Sequence, residues 1–328
     1  MGLLVKGKWV DRWYDTDATE GAFVRSEAQF RNWVTPDGKP GPSGVGGFNA
    51  QPDRYHLYVS YACPWAHRTL IFRVLKGLSH IVDVTVVHPH MLKNGWELRD
   101  NAGNSSDPLY GARFLHELYT RAQAHYSGRV TVPVLWDKQQ QTIVSNESAE
   151  ILRMFNSSFE AYSESKTDYY PPAQRAAIDA LNEQIHRTVN NGVYCCGFAT
   201  RQAPYEAAFR ALFATLDELE SRLARRRYLL GEHITEADWR LFTTLLRFDA
   251  VYYSHFKCNL HRIVDYPQLW AYVRDLYQQP GIAATVHMDH IKQHYYVSQT
   301  SINPQQIVPL GPELDFLEVH HRDRQIFS

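Results

Sequence analysis

The chain has 328 residues, 44% hydrophobic and 21% charged, with a net charge of −1. That length holds two ordinary domains with ample core, and the composition excludes a disordered chain. The near-neutral balance offers no electrostatic footprint for nucleic acid or an anionic membrane surface. No run of about 18 apolar residues occurs and "MGLLVKGKWV" lacks a small-residue cleavage site, so a cytoplasmic protein without membrane contact is expected. The four cysteines, Cys63, Cys195, Cys196 and Cys258, then read as reduced thiols, and the last three as small buried hydrophobes. The 8 Trp, 20 Tyr and 15 Phe are the one unusual bulk feature: many suit a core, and so many tyrosines also suit a site that grips flat, partly polar ligands.

Residues 1–52 read as an ordered, aromatic-rich extension, because the rings of "KWVDRWYDT" and "FRNWV" need something to cover. From His56 the pattern sharpens. "HLYVSYA" is strand-like; Pro64 to Leu78 has helical spacing broken at Gly77; "IVDVTVVH" is a second strand rich in β-branched residues. A polar, irregular stretch from His90 to about Gly128 holds one short helical candidate, "RFLHELYTRAQ". "VTVPVLWD" and "QTIVS" form a hairpin about a turn at Asp137 to Gln140, and "ESAEILRMFNSSF" is an amphipathic helix. This order predicts a thioredoxin-like α/β domain over 53–160. After "SESKTDYYPP" the periodicity is helical throughout: four segments from Pro172, Pro204, Thr235 and Tyr266 predict an all-α domain over 170–328 with an extended tail.

Cys63 stands just before the helix that Pro64 opens. Unpaired N–H groups and the helix dipole at such a position favour thiolate, the reactive form; the plain alternative is an inert buried cysteine. Two-cysteine oxidoreductases resolve a mixed disulfide with the second thiol of C-x-x-C. Here "CPWA" puts Ala66 at that place, so an outside thiol must resolve it, and glutathione is the abundant candidate. Pro133 opens a strand where thioredoxin-like folds keep a cis peptide facing the active cysteine; the plain alternative is an ordinary edge-strand proline. A cis peptide would leave Val132 to pair with a peptide-like ligand. Glu147 and Ser148 open a helix, suited to a ligand's ammonium and carboxylate or, equally, to simple capping. Thr235 and Asp238 have capping-box spacing, with Ile234 and Trp239 placed as a staple across it. "HPH" and "HMDHIKQH" carry histidines at metal-like spacing, His287, His290 and His294 on one helix face. One helix rarely supplies a whole site, so no metal site is expected.

The capping box after "YLLG" in an all-α half, joined to "SYACPWAHR", resembles the glutathione transferase superfamily over about residues 55–280. With the aromatic extension, "GRVTVPVLWD", "TTLLRFDAVYY" and "IKQHYY", the chain resembles the xi class, the glutathionyl-hydroquinone reductases, over almost its whole length. The resemblance implies a glutathione transferase fold and an oxidoreductase with glutathione as co-substrate and no permanently bound cofactor. The expected reaction takes a glutathionyl-hydroquinone and glutathione to hydroquinone and oxidised glutathione, with Cys63 as nucleophile. It implies glutathione contacts at Trp96, Arg129, Val130, Thr131, Val132, Glu147 and Ser148. Tyr194 is implied as proton donor and acceptor, and Tyr253 and Tyr296 as hydroxyls lowering the thiol pKa. Tyr252 and Tyr295 stand one register position away. A homodimer is the implied assembly. Two other readings compete: an omega-like thioltransferase or dehydroascorbate reductase using the same thiol, and a non-enzymatic transferase-like scaffold for protein contacts.

Overall fold

The computed structural model describes residues 2–100 and 105–323. These divide into two compact units. The first holds the chain up to Trp13, Ser26–Thr167 and Thr285–Ile307; the second holds Tyr14–Arg25, Asp168–Ala284 and the chain from Val308 on. The division differs from contiguous segments of 53–160 and 170–328, because the extension is shared out and Thr285–Ile307 belongs to the first unit.

In the first unit, β1 (Leu3–Val5) and β2 (Lys8–Val10) make an antiparallel hairpin. Next come β3 (Tyr55–Val59), α1 (Pro64–Leu75), β4 (Asp83–Val86) and α2 (Leu115–Ala122). They are followed by β5 (Gly128–Arg129), β6 (Val134–Asp137), β7 (Thr142–Ser145) and α3 (Ser148–Ser157). The main sheet runs β4-β3-β6-β7, with β3 parallel to β4 and the other pairs antiparallel, and α1 packs with α3. This is the thioredoxin-like arrangement. Every residue of β3 and of β6 is buried, as a central strand covered on both faces requires.

The extension is stitched to this unit by polar bonds as well as by its rings. β1 pairs with β5 in a second, three-stranded sheet. The Trp9 indole donates to the Lys93 carbonyl at 3.0 Å and stacks on His116 at 4.8 Å. Val34 and Phe48 are fully or nearly buried, and Ser158 donates to the Val34 carbonyl at 2.7 Å. Asp137 ends β6 as a buried acceptor: it takes Arg54 Nε and Nη2 at 3.0 and 2.6 Å and the turn amides of Gln139 and Gln140 at 2.8 and 3.1 Å.

The second unit is helical: α4 (Arg175–Ile185), α5 (Gly192–Gly197), α6 (Gln202–Leu223), α7 (Glu236–Arg247) and α8 (Pro267–Tyr277). Two boundaries differ from the periodicity reading. The segment from Pro172 is α4, a π turn at His186–Asn190 and then α5, and α7 likewise ends in a π turn at Phe248–Tyr252. A single π turn spans too few residues to show a period of its own in the sequence. The capping box of α7 is buried. Asp238 accepts from Thr235 N at 2.8 Å, Thr235 Oγ1 at 3.0 Å, Leu229 N at 2.9 Å and the Tyr272 hydroxyl at 2.8 Å. Burial still pushes the Asp238 carboxyl above the usual carboxylate range, against those four donors. The remaining helix, α9 (Met288–Ser298), lies in the first unit. No described helix is long and apolar enough to cross a membrane.

Candidate active site

The site of interest in the first unit is the turn between β3 and α1. Cys63 is the N-cap of α1, with extended backbone at φ −75° and ψ 122°, and Pro64 takes the first helical position. Its carbonyl accepts the first helical bond from His67 N at 3.0 Å, and its own N–H is held by the Ser60 carbonyl at 3.1 Å. The thiol is half-buried and lies 3.6 Å from the Val132 carbonyl, to which it donates. Ala66, one helical turn on, is fully buried, so no second thiol stands at the expected resolving place. None of the four cysteines forms a disulfide.

The Val132–Pro133 peptide is cis, as expected from the sequence. Val132 is 4% exposed, and its N–H has no hydrogen-bond partner among the described residues. A buried N–H in that state is a donor open to a ligand's acceptor. Beside it, the β7–α3 junction carries Glu147 and Ser148. Glu147 is the N-cap of α3, accepting from Ala149 N at 2.9 Å, and Ser148 is buried in the first turn. Capping is thus a role that Glu147 already fills. Arg129 is half-buried on β5, and its Nη1 donates to the extension, at 2.6 Å to the Arg12 carbonyl and 3.4 Å to that of Gly2. Val130 is buried and Thr131 is half-buried. Trp96 is buried and stacks on His294 of α9 at 4.8 Å and 21°. Tyr296, on the same helix, is 7% exposed, and its neighbour Tyr295 is 1% exposed.

Comparison with known proteins fits this geometry. The glutathione S-transferase N-terminal domain profile matches residues 62–158, and the C-terminal domain profile matches 202–275. Glutathionyl-hydroquinone reductase YqjG of Escherichia coli is 58% identical over 324 residues, covering 98% of this chain and 99% of that protein. Its glutathione-bound structure superposes with a TM-score of 0.91. The chain belongs to the xi-class glutathione transferases. Glutathionyl-hydroquinone reductase PcpF of Sphingobium chlorophenolicum is 48% identical over 95% of this chain and 96% of that protein. The xi-class transferase of Natrialba magadii superposes with a TM-score of 0.90 at 45% identity, covering 99% of this chain and 97% of that one. As a member of the glutathionyl-hydroquinone reductases, the chain is an enzyme.

Two further tyrosines that the resemblance implied for the site of this xi-class chain lie in the second unit. Tyr194, on α5, is 8% exposed; the Arg25 guanidinium sits over its ring at 4.8 Å, and Phe256 lies 5.5 Å away. Tyr253 follows the π turn and is half-buried, whereas Tyr252 is fully buried and stacks on Phe256 at 5.4 Å and 18°. Of the two neighbours, Tyr253 is the one with an exposed edge.

Sequence reasoning missed Tyr119. Its hydroxyl donates to the Thr131 carbonyl at 2.8 Å and accepts from Thr131 N at 3.2 Å and Asn146 Nδ2 at 3.1 Å. It therefore ties the strand before Pro133 to the loop before Glu147. Burial pushes its pKa up, which keeps the hydroxyl neutral and able to donate. The only sequence signal was an aromatic residue in the middle of the short helix read within the polar insertion.

Proposed function

We propose that this chain reduces glutathionyl-hydroquinones by a monothiol cycle on Cys63. The Cys63 thiolate attacks the glutathionyl sulfur; the S–Cys63 bond forms, the carbon–sulfur bond breaks, and the aromatic carbon takes a proton from Tyr194. A second glutathione thiolate then attacks the mixed disulfide, releasing oxidised glutathione and the Cys63 thiolate. Trp96, the stretch Arg129 to Val132, Glu147 and Ser148 hold the glutathionyl moiety, with the Val132 N–H and C=O pairing its peptide backbone. Tyr253 and Tyr296 donate hydroxyls to the sulfur. A cytoplasmic homodimer goes with this reading.

The observation that carries it is the pairing of Cys63, at a helix N-terminus without a second thiol, with the unpartnered buried N–H of Val132. The names borne by the relatives point the same way. Mass spectrometry after incubation with glutathionyl-menadiol tests it. A glutathione adduct on Cys63 alone, removed by added glutathione, is expected, and Cys63→Ala should abolish turnover. Full activity in Cys63→Ala would sink the reading. Tyr194→Phe should lower kcat by about a hundredfold while adduct discharge by glutathione is unchanged. Faster turnover of dehydroascorbate than of glutathionyl-menadiol would assign the thiol to omega-like chemistry instead.

A further inference from the structure

We propose that the histidine stripe of α9, with Thr285 just ahead of it, is the positioning element of the Cys63 turn. The spacing of His287, His290 and His294 at i, i+3 and i+7 places all three on one face. What that face meets is the candidate site. His287 lies flat on Tyr61, two residues before Cys63, with ring centroids 3.6 Å apart and planes 12° from parallel. His290 meets the same ring edge-on at 5.4 Å. His294 stacks on Trp96, and its Nδ1 donates to the Pro89 carbonyl at 2.8 Å, which sets the ring's tautomer and plane.

The other side of Cys63 is held as well. His67, whose N–H bonds the Cys63 carbonyl, joins Nε2 to Thr285 Oγ1 at 2.8 Å, with His67 fully buried and Thr285 6% exposed. Tyr61 and His67 thus bracket the thiol two residues before it and one helical turn after it. Both are gripped from the segment that opens α9. A nucleophile at a helix N-cap gains from being fixed, because a displacement on the order of 1 Å costs about a hundredfold in rate. The inference rests on the reading of Cys63 as the nucleophile, and the stripe's members are positioning residues that act through Tyr61, His67 and Trp96.

The test uses the full chain and two readouts: alkylation of Cys63 by iodoacetamide, and steady-state kinetics with glutathionyl-menadiol. His287→Ala and Thr285→Val should each slow alkylation and kcat about tenfold, with KM for glutathione within about twofold of wild type. His287→Phe, which keeps a flat ring, and Thr285→Ser, which keeps the hydroxyl, should restore both rates. His294→Ala should raise KM for glutathione about fivefold and leave Cys63 alkylation alone. Wild-type alkylation and kcat in His287→Ala and Thr285→Val would overturn the proposal. So would equal losses in the Phe and Ser variants, since general packing and not the stack and hydrogen bond would then be at work. Turnover surviving in Cys63→Ala would instead refute the nucleophile, while the alkylation rates still report on the clamp.

Discussion

His56 should make the stability of this protein fall as pH drops below neutral. It lies on β3, 2% exposed, with Nε2 bonded to Thr85 Oγ1 at 2.7 Å and its ring 4.7 Å from that of Tyr58. Burial lowers its pKa from 6.5 to about 4; Asp83 and Asp107 favour the charged ring, while Lys138 and Arg73 oppose it, and burial wins. The folded state therefore binds the proton less readily than the unfolded chain. The contribution is complete above pH 6.5, is lost progressively toward pH 4, and is flat below that. Integrating between those two pKa values gives a loss of about 2 kcal/mol at pH 5 and about 3 kcal/mol at pH 4 relative to pH 7. His56→Gln removes the titration and keeps a group able to bond Thr85. Urea unfolding at pH 7 and pH 5 should show a decline about 2 kcal/mol smaller in the variant than in the wild type. Taking the difference within each protein cancels any fixed cost of the substitution and the contributions of other histidines. Identical declines in the two proteins would refute the reasoning.

Asp137→Ala should destabilise the first unit by about 3–5 kcal/mol in the same assay, because it strands the buried Arg54 guanidinium and two turn amides. Asp238→Ala should cost more than about 3 kcal/mol, since Thr235 N, Leu229 N and the Tyr272 hydroxyl lose their acceptor in the interior. Circular dichroism on heating should show the helical signal lost earlier. In Gly197→Ala the added methyl would be driven into the Phe256 ring, costing about 1–3 kcal/mol by overpacking. Because Phe256 also packs on Tyr194, kcat for glutathionyl-menadiol should drop in that variant while the rate of Cys63 alkylation is kept.

What the sequence discloses about this chain is what short-range chemistry dictates. The strand–turn–helix around Cys63 is legible because Pro64 fixes the first helical position and β-branched and apolar residues crowd the strand. The Thr235–Asp238 box is legible for the same reason: donor and acceptor are three residues apart and satisfy each other wherever the helix sits. β1 and β2 are not legible. Three residues are too few to show alternation, and the partner that makes β1 a strand edge lies more than 120 residues on, at Gly128–Arg129. Tyr119 is hidden likewise, because the hydrogen bonds of its hydroxyl run to Thr131 and Asn146, outside its helix. The histidines of α9 show the limit most sharply. Their spacing establishes that they share a face, and metal coordination is one chemistry that shared faces serve. Spacing does not say what the face meets. Here it meets flat rings at Tyr61 and Trp96 and a backbone carbonyl at Pro89, partners that want a planar, hydrogen-bonding side chain and offer no ligand set. The same three positions would therefore tolerate Phe or Tyr at His287 far better than a metal site could. A periodic motif specifies a surface, and its chemistry is decided by whatever the tertiary fold sets against it.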